Sequence, residues 1–455
     1  MIRGISLEGK KDSTLITWTL KRLRNPVRVK IPLKQGSKDK AIACVRHDDL
    51  VKAGQKIAEP ADDFSTPLHA SVSGRVITVG SFPHPTLDFC DAIEIVGDGK
   101  QETVPGLGTE RHGWDLLSAD SLALLFRDMG LVSLSPGMVP LHVLTGNARQ
   151  HKIHTLVINA CEPEPYVTCD HSLMMSHPLE ILKGAEILRH ACGAEKVIVA
   201  LQEDKMQVAE LLKSKIYFLK WENIEIRVLP SRFPQGLSLP LLHTLFGLKV
   251  SFFPEAQAEE SAQAMELALA KGFHKQGIAL ESVATAYAVY EAVVLQKPLY
   301  ERPVTVAGEC VMEPRNVWIP VGLSLQDTFK SARGLMREPG KVVMGGPMLG
   351  WEQEAMEAPV LKGTTAVLAL PKEITNTPEV SACTHCGRCV EICPAGISPV
   401  MITLAAEQGL YEEAQAWGAL DCIRCGNCTY ICPSKRPMAE LIRDARQNLQ
   451  QTPRH

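Results

Sequence analysis

Hydrophobic and polar positions along this 455-residue chain follow different periods in different stretches. From about 27 to 96, short apolar runs alternate with polar positions and are broken by Gly, Pro and Asp. This is the pattern of brief strands joined by tight turns. From about 118 to 294 the pattern changes to compact apolar runs, such as TLVINA and KVIVAL. They are bounded by stretches with apolar residues at helical spacing, HPLEILKGAEILRHACGA and AEESAQAMELALAKG. That alternation predicts a parallel α/β sheet, whose ligands sit at the carboxyl ends of the strands. From about 300 to 350 strand-like runs return as PVTVAG, NVWIPVG and KVVMGGPMLG, with a helix expected near 325–335. Gly345, Gly346 and Pro347 form a tight turn there, either structural or a place of close approach to a cofactor.

Composition narrows the class. With 45% hydrophobic and 22% charged residues the chain reads as an ordinary globular protein, long enough for about three domains or more. A net charge of −3 leaves no electrostatic footprint for nucleic acid. The longest apolar runs, TTAVLAL among them, suit buried strands and fall short of a bilayer span. The start, MIRGISLEGKKDS, has no signal-peptide core, so a cytoplasmic protein is expected, reaching a membrane by docking on other subunits.

Cysteine supplies the sharpest signal. Of 14 cysteines, eight lie between Cys383 and Cys432. SACTHCGRCVEICPAG places Cys383, Cys386, Cys389 and Cys393 before Pro394; LDCIRCGNCTYICPSK places Cys422, Cys425, Cys428 and Cys432 before Pro433. Both are C-x2-C-x2-C-x3-C-P, the spacing of two-cluster ferredoxins. Three cysteines at short intervals wrap three corners of a 4Fe–4S cubane, with Gly387 and Gly426 allowing the tight path. The fourth, carried away by the proline, reaches the other cluster. Cys383, Cys386, Cys389 and Cys432 are thus expected to hold one cluster, and Cys422, Cys425, Cys428 and Cys393 the other. Structural zinc needs four ligands around one ion, and two identical quartets exceed that. PVMITLAAEQGLYEEAQAWGAL and PMAELIRDARQNLQQ read as helices, making this an α-helical ferredoxin-type domain.

Two further segments hold candidate chemistry. VKAGQKIAEPADDFSTPLHASVSGRVITVG looks like the β-sandwich hairpin of lipoyl and biotinyl carriers, turned at Gly54 and Gly74. Its tip, LHASVSG, has no lysine to modify, which predicts a scaffold rather than a swinging arm. After TLVINA comes CEPEPYVTCDHSLMM, where Glu162 and Glu164 either hydrogen-bond a nucleotide or flavin or cap and solvate a loop. Cys161 and Cys169 are either extra metal ligands or small buried hydrophobes.

The order PLHASVSGRV, NACEPEPYVTCDHSLMM, VATAYAVYEAVV, VMGGPMLG and two cysteine quartets resembles the C subunit of the Rnf electron-transport complex along nearly the whole chain. The resemblance implies a multidomain α/β and α+β protein. Its parts are an N-terminal β-sandwich (barrel-sandwich hybrid, 1–105), a Rossmann-like domain of the complex-I flavoprotein type (106–298), a β-grasp, SLBB-like module (299–355) and a C-terminal dicluster ferredoxin domain (370–446), with a tail at 447–455. It also implies a pocket in which Glu162, Glu164, Tyr166, Gly130 and Gly137 meet flavin and nucleotide, and partners that are other subunits of a membrane complex. Against the family's glycine-rich segment this chain carries Gly130-LVSLSPGMVPLHV, where Leu134, Ser135 and Pro136 add side chains and remove an N–H. LSLPLL follows Pro234–Gly236, and Ser282-Val-Ala284 replaces Asn-Val-Gly. FMN and NADH binding are therefore expected to be weak or absent, with direct NADH oxidation in question and a ferredoxin or flavoprotein as the alternative donor. The alternatives are a soluble relative feeding a proline- or cobalamin-type reductase, and a non-redox scaffold with structural clusters.

Overall fold

The protein is described by a computed structural model covering residues 3–16, 19–23, 27–36, 40–135, 137–249, 261–376 and 379–451. Strand formation begins where alternation begins. Arg28–Pro32, Asp88–Gly97, Gly74–His84 and Leu50–Val51 make one antiparallel sheet, and Ala41–Ala43, Lys56–Pro60 and Leu68–His69 face it as a second. Ile31 pairs Ile93, and Val76 pairs Ile95, so one face of the sheet is apolar and closes the sandwich. Residues 70–73, at the expected tip, are buried. Ser71 donates to the Val321 carbonyl at 2.7 Å, and the Lys30 amide to Gly322 at 2.8 Å. The sandwich shares a single apolar core with the neighbouring sheet, Val29, Ile57 and Val76 meeting Val304, Ile319 and Val367. A tip sewn into another domain does not swing.

The α/β domain is a four-stranded parallel sheet in the order Ile224–Leu229, Lys196–Gln202, Thr155–Asn159, Ile278–Ser282. Its strands are largely buried, as expected where helices cover both faces. The chain order reverses between Thr155–Asn159 and Ile278–Ser282, which opens a crevice at their carboxyl ends. Helix Pro178–Cys192 starts on a proline and stops at Gly193 in the left-handed region, both favourable ends. It packs against Val283–Val293, every residue of which is buried. The contact depends on Gly184, where an added Cβ would lie 1.8 Å from the Ala286 carbonyl oxygen. The second expected helix spans Ala262–Lys275; the beginning of the segment read for it, 258–260, lies outside the described residues.

The third sheet has six strands, ordered Lys21–Arg22, Arg315–Pro320, Glu301–Ala307, Ala366–Leu370, Lys341–Met344, Trp351–Gln353, with helix Leu325–Ser331 beside them. It reaches beyond 299–355 at both ends. The wholly buried Ala366–Leu370 sits in its middle, and a strand from the start of the chain closes its edge. Described residues near the start of the chain therefore pack on other domains: besides Lys21–Arg22, Ile5 bridges to Phe233 with two backbone bonds of 2.9 Å. The cysteine-rich domain is helical, with Pro399–Glu407, Tyr411–Ala416 and Met438–Gln451 packed around Ile402, Ala405, Ala414 and Ile442. Among the described residues no helix is long and apolar enough to cross a membrane.

Replacing Gly184 by alanine forces the two helices apart, and overpacking of this kind costs about 1–3 kcal/mol. Urea denaturation should show a lower midpoint for Gly184→Ala, with no loss of C-terminal helix signal before the main transition.

Candidate metal centres and the adjoining crevice

Each cysteine run folds in the same way. His385 and Arg424, the third residue of each run, lie in the left-handed region with φ 54° and 58°, and the following glycines, Gly387 and Gly426, have φ 74° and 75°. This path turns the amide of His385 toward Cys383 Sγ and that of Arg424 toward Cys422 Sγ, each at 3.4 Å. A short helix then carries the third cysteine inward, Cys389 on Arg388–Glu391 and Cys428 on Asn427–Ile431.

Two cavities result. One is lined by Cys383, Cys386, Cys389 and Cys432; the other by Cys422, Cys425, Cys428 and Cys393. The cavities adjoin, because Cys428 packs both beside Cys389 and Cys432 and beside Cys393. The start of helix Met438–Gln451 separates them, Met438 facing the first and Ala439 and Ile442 the second. Val400 and Pro399 do the same at the start of the other long helix.

The donor geometry discriminates between ions. A tetrahedral zinc with Zn–S of about 2.3 Å requires its sulfurs within about 4 Å of each other. Among the described residues, the three-member group whose ligand atoms lie within 4.8 Å of one another is Glu162, Cys169 and Asp170, not members of either quartet. Four thiols spread around a cavity fit a cluster whose irons occupy separate corners. Burial pushes the Cys428 thiol up to about 12 and Cys425 higher, so thiolates there need ligated cations.

The two cavities differ in surroundings. Cys386 is exposed and Cys383 half-buried, so the first opens to solvent. The second faces the protein: Cys425 packs with Ile5 and Phe233, and Met348, Leu349 and Ile423 close around them. Asn427 Nδ2 donates to the Phe233 carbonyl at 3.5 Å. Phe233 does not stand out in the sequence, and VMGGPMLG marks Met348 without its partners; the wall they form joins segments far apart in the chain, which no local pattern reports.

The loop after Thr155–Asn159 is buried rather than solvated. Glu162 accepts from the amides of Asp170 (2.7 Å) and His171 (3.0 Å), capping helix Cys169–Ser176 with negative charge at its N-terminus. Lys205 lies 3.7 Å from the same carboxylate. With Lys205 and the fully buried Arg302 supplying positive charge, the Glu162–Cys169–Asp170 group needs no added ion. Cys161 is buried, and burial raises its thiol to about 12. Glu164 accepts from the Met348 amide at 3.0 Å, its other oxygen is buried without a partner, and burial lifts its carboxyl to about 7. Tyr166, at φ 66°, donates to Glu309 at 2.9 Å. Gly130 faces the sandwich: its carbonyl accepts from Lys362 Nζ at 2.7 Å, and a Cβ there would meet Pro67 O at 2.7 Å.

Gly137 lies at the crevice itself, and its amide donates to Glu266 Oε2 at 2.9 Å. Glu266 Oε1 accepts from Ser135, while Ser133 donates to the buried Glu281 at 2.8 Å. Burial first, and the neighbouring Glu266 charge after it, raise the Glu281 carboxyl from its ordinary 4.5 to about 8. No motif marks these acids in the sequence, although a glutamate inside the apolar strand Ile278–Ser282 is an anomaly worth following. Pro136 lies outside the described residues.

Three family models match the chain: an RnfC barrel sandwich hybrid domain over 1–100, a Nuo51 FMN-binding domain over 126–291 and a 4Fe-4S dicluster domain over 376–433. The chain is 32% identical to the C subunit of the proton-translocating ferredoxin:NAD(+) oxidoreductase complex of Clostridium ljungdahlii, over 92% of this chain and 87% of that one. It is equally identical to the C subunit of the Na(+)-translocating complex of Acetobacterium woodii, over 94% and 92% of the two chains. With the C subunit of the ion-translocating oxidoreductase complex of Rhodobacter capsulatus it shares 32% identity over 87% and 73%.

Glu281 binds its proton more tightly folded than unfolded between about pH 4.5 and 8, so its contribution to stability is complete below 4.5 and lost as pH rises through 8. Glu281→Gln should therefore melt above wild type at about pH 9, by a few °C, and lose that advantage at about pH 4. Thermal melts at the two values check it.

Proposed function

Since the chain belongs to the family of Rnf complex C subunits, we propose that it is the peripheral member of an ion-translocating membrane complex, relaying single electrons through two four-cysteine centres. The observation that carries the reading is the pair of adjoining cavities, each lined by three cysteines of one run and the fourth of the other. Cys383, Cys386, Cys389 and Cys432 hold the outer 4Fe–4S cluster; Cys422, Cys425, Cys428 and Cys393 hold the inner. Each cluster supplies a one-electron couple.

The chain's own residues set how that couple is used. The amides of His385 and Arg424 point at ligand sulfurs, and hydrogen bonds of this kind favour the reduced, more negative state. Phe233, Met348 and Ile5 exclude water from the inner centre, whereas Cys386 brings the outer one to the surface, where a partner protein can approach. Shared walls at Cys428 keep the two close. A soluble relative serving a dedicated reductase has the same relay and differs in its partner, and co-purification with integral membrane subunits separates the two.

Serine substitutions test the crossed assignment. Cys432→Ser should abolish the same electron paramagnetic resonance signal as Cys386→Ser, and Cys393→Ser the same one as Cys425→Ser, each variant keeping about half of the wild-type iron. Loss of one signal by Cys386→Ser and Cys393→Ser together would break the assignment. Zinc in place of iron would remove the relay altogether.

A further inference from the structure

The match to an FMN-binding domain sets an expectation that the crevice of this chain does not meet. We infer that the crevice between Thr155–Asn159 and Ile278–Ser282 is closed by the chain's own side chains and houses no flavin mononucleotide, so that the protein is reduced by a one-electron carrier rather than by a hydride donor.

A nucleotide phosphate in such a fold is held by free backbone N–H groups of the loop and the helix N-terminus at the strand ends. Here five of those groups already have partners. In the loop, the Ser133 amide donates to the Val139 carbonyl (2.8 Å), Leu134 to Thr285 Oγ1 (2.9 Å), Gly137 to Glu266 Oε2 (2.9 Å) and Met138 to the Ser135 carbonyl (3.2 Å). At the start of helix Val283–Val293, the Thr285 amide donates to Ser282 Oγ at 3.1 Å.

Space and charge agree with this. Glu266 lies against the bare face of Gly137, where an added Cβ would come within 2.4 Å of its Oε2. The surface that a glycine normally leaves open for a ligand is thus occupied by a side chain of helix Ala262–Lys275. The occupant is an acid, tied down by both Ser135 and Gly137, and a second acid, Glu281, lies beyond Ser133. No ion pair to either acid is formed among the described residues. A phosphate entering here would have to displace the Glu266 carboxyl from its hydrogen bonds with Ser135 and Gly137, and would meet a second buried acid, Glu281, beyond Ser133.

The consequence for electron supply follows from counting, and it rests on the two-cluster reading above. A hydride donor gives up two electrons at once, whereas a 4Fe–4S cluster accepts one. Dividing the pair needs a carrier such as a flavin that is stable at three oxidation levels. Without one in this chain, reduction proceeds by single steps: a reduced iron–sulfur or flavodoxin-type protein loses one electron and one cluster gains it, with no bond made or broken.

The experiment uses the full chain reconstituted anaerobically with iron and sulfide, assayed for iron and then titrated with FMN by fluorescence quenching and with NADH or a reduced ferredoxin by visible absorbance. Iron at the level of two clusters tests the relay reading on its own; its absence would sink that reading and this inference with it. With iron present, no saturable FMN quenching, no bleaching by NADH and rapid bleaching by ferredoxin are expected, and FMN should not alter the response to NADH. Stoichiometric FMN binding, or bleaching by NADH alone, would overturn the inference. The double variant Glu266→Ala with Glu281→Gln, checked for retained iron and helix content, should bind FMN about tenfold or more tightly than wild type. If it binds no better, the acids are not what closes the crevice and the inference fails in its cause.

Discussion

The structure turns on one requirement: neither cysteine run can complete its own centre. Three cysteines of each run line one cavity, and the fourth, which precedes a proline, lines the other. Because the requirement is mutual, the two runs fold alike. His385 and Arg424 both take the left-handed conformation, glycine follows each, and the long helices after Cys393 and Cys432 both begin on the wall between the cavities. The domain has a small apolar core, chiefly Ile402, Ala405, Ala414, Ile442 and Ala445, so the crossed ligation proposed above would contribute much of what holds it.

The same arrangement fixes how the centres relate to the rest of the chain. With the outer cavity at the surface, the inner one is pressed on Phe233, Met348 and Ile5, which come from the α/β domain, the third sheet and the start of the chain. These three sources are themselves tied together. Ile5 pairs with Phe233, Glu164 accepts from the Met348 amide, and Gly346 passes so close that a Cβ would be 2.3 Å from the Glu164 Cδ. On the opposite side, buried Lys362 joins the Gly130 carbonyl to the sandwich and Arg302 donates to the Lys362 carbonyl at 2.7 Å. The domains therefore form a rigid wall for the inner centre, and the FMN-type domain contributes to that wall through its loops.

Much of this is legible in the sequence where the signal is local. Thr155–Asn159 and Lys196–Gln202 are readable as buried strands, helix Met438–Gln451 from its spacing, and the two cysteine runs from spacing alone. Ala366–Leu370 is readable as a buried strand, but its place in the middle of the third sheet is not, because its partner Glu301–Ala307 lies some sixty residues away. Glu162 and Glu164 look interchangeable in EPEP, yet one caps a helix and the other receives an amide from residue 348; only the folded chain distinguishes them. Likewise Gly137 reads as an open glycine until helix Ala262–Lys275 lays Glu266 on it. Local pattern predicts elements; the polar contacts that decide a pocket's contents join residues far apart in the chain.

The central claim is that two clusters lie side by side, completed by each other's fourth cysteine. Electron paramagnetic resonance of the fully reduced protein tests it most directly, because neighbouring paramagnets broaden and split each other's lines. The expected spectrum integrates to about two spins per chain and shows that splitting, which disappears in Cys432→Ser as one cluster is lost. A spectrum of two unsplit, independent signals, or of a single spin in the wild type, would contradict the adjoining, crossed arrangement.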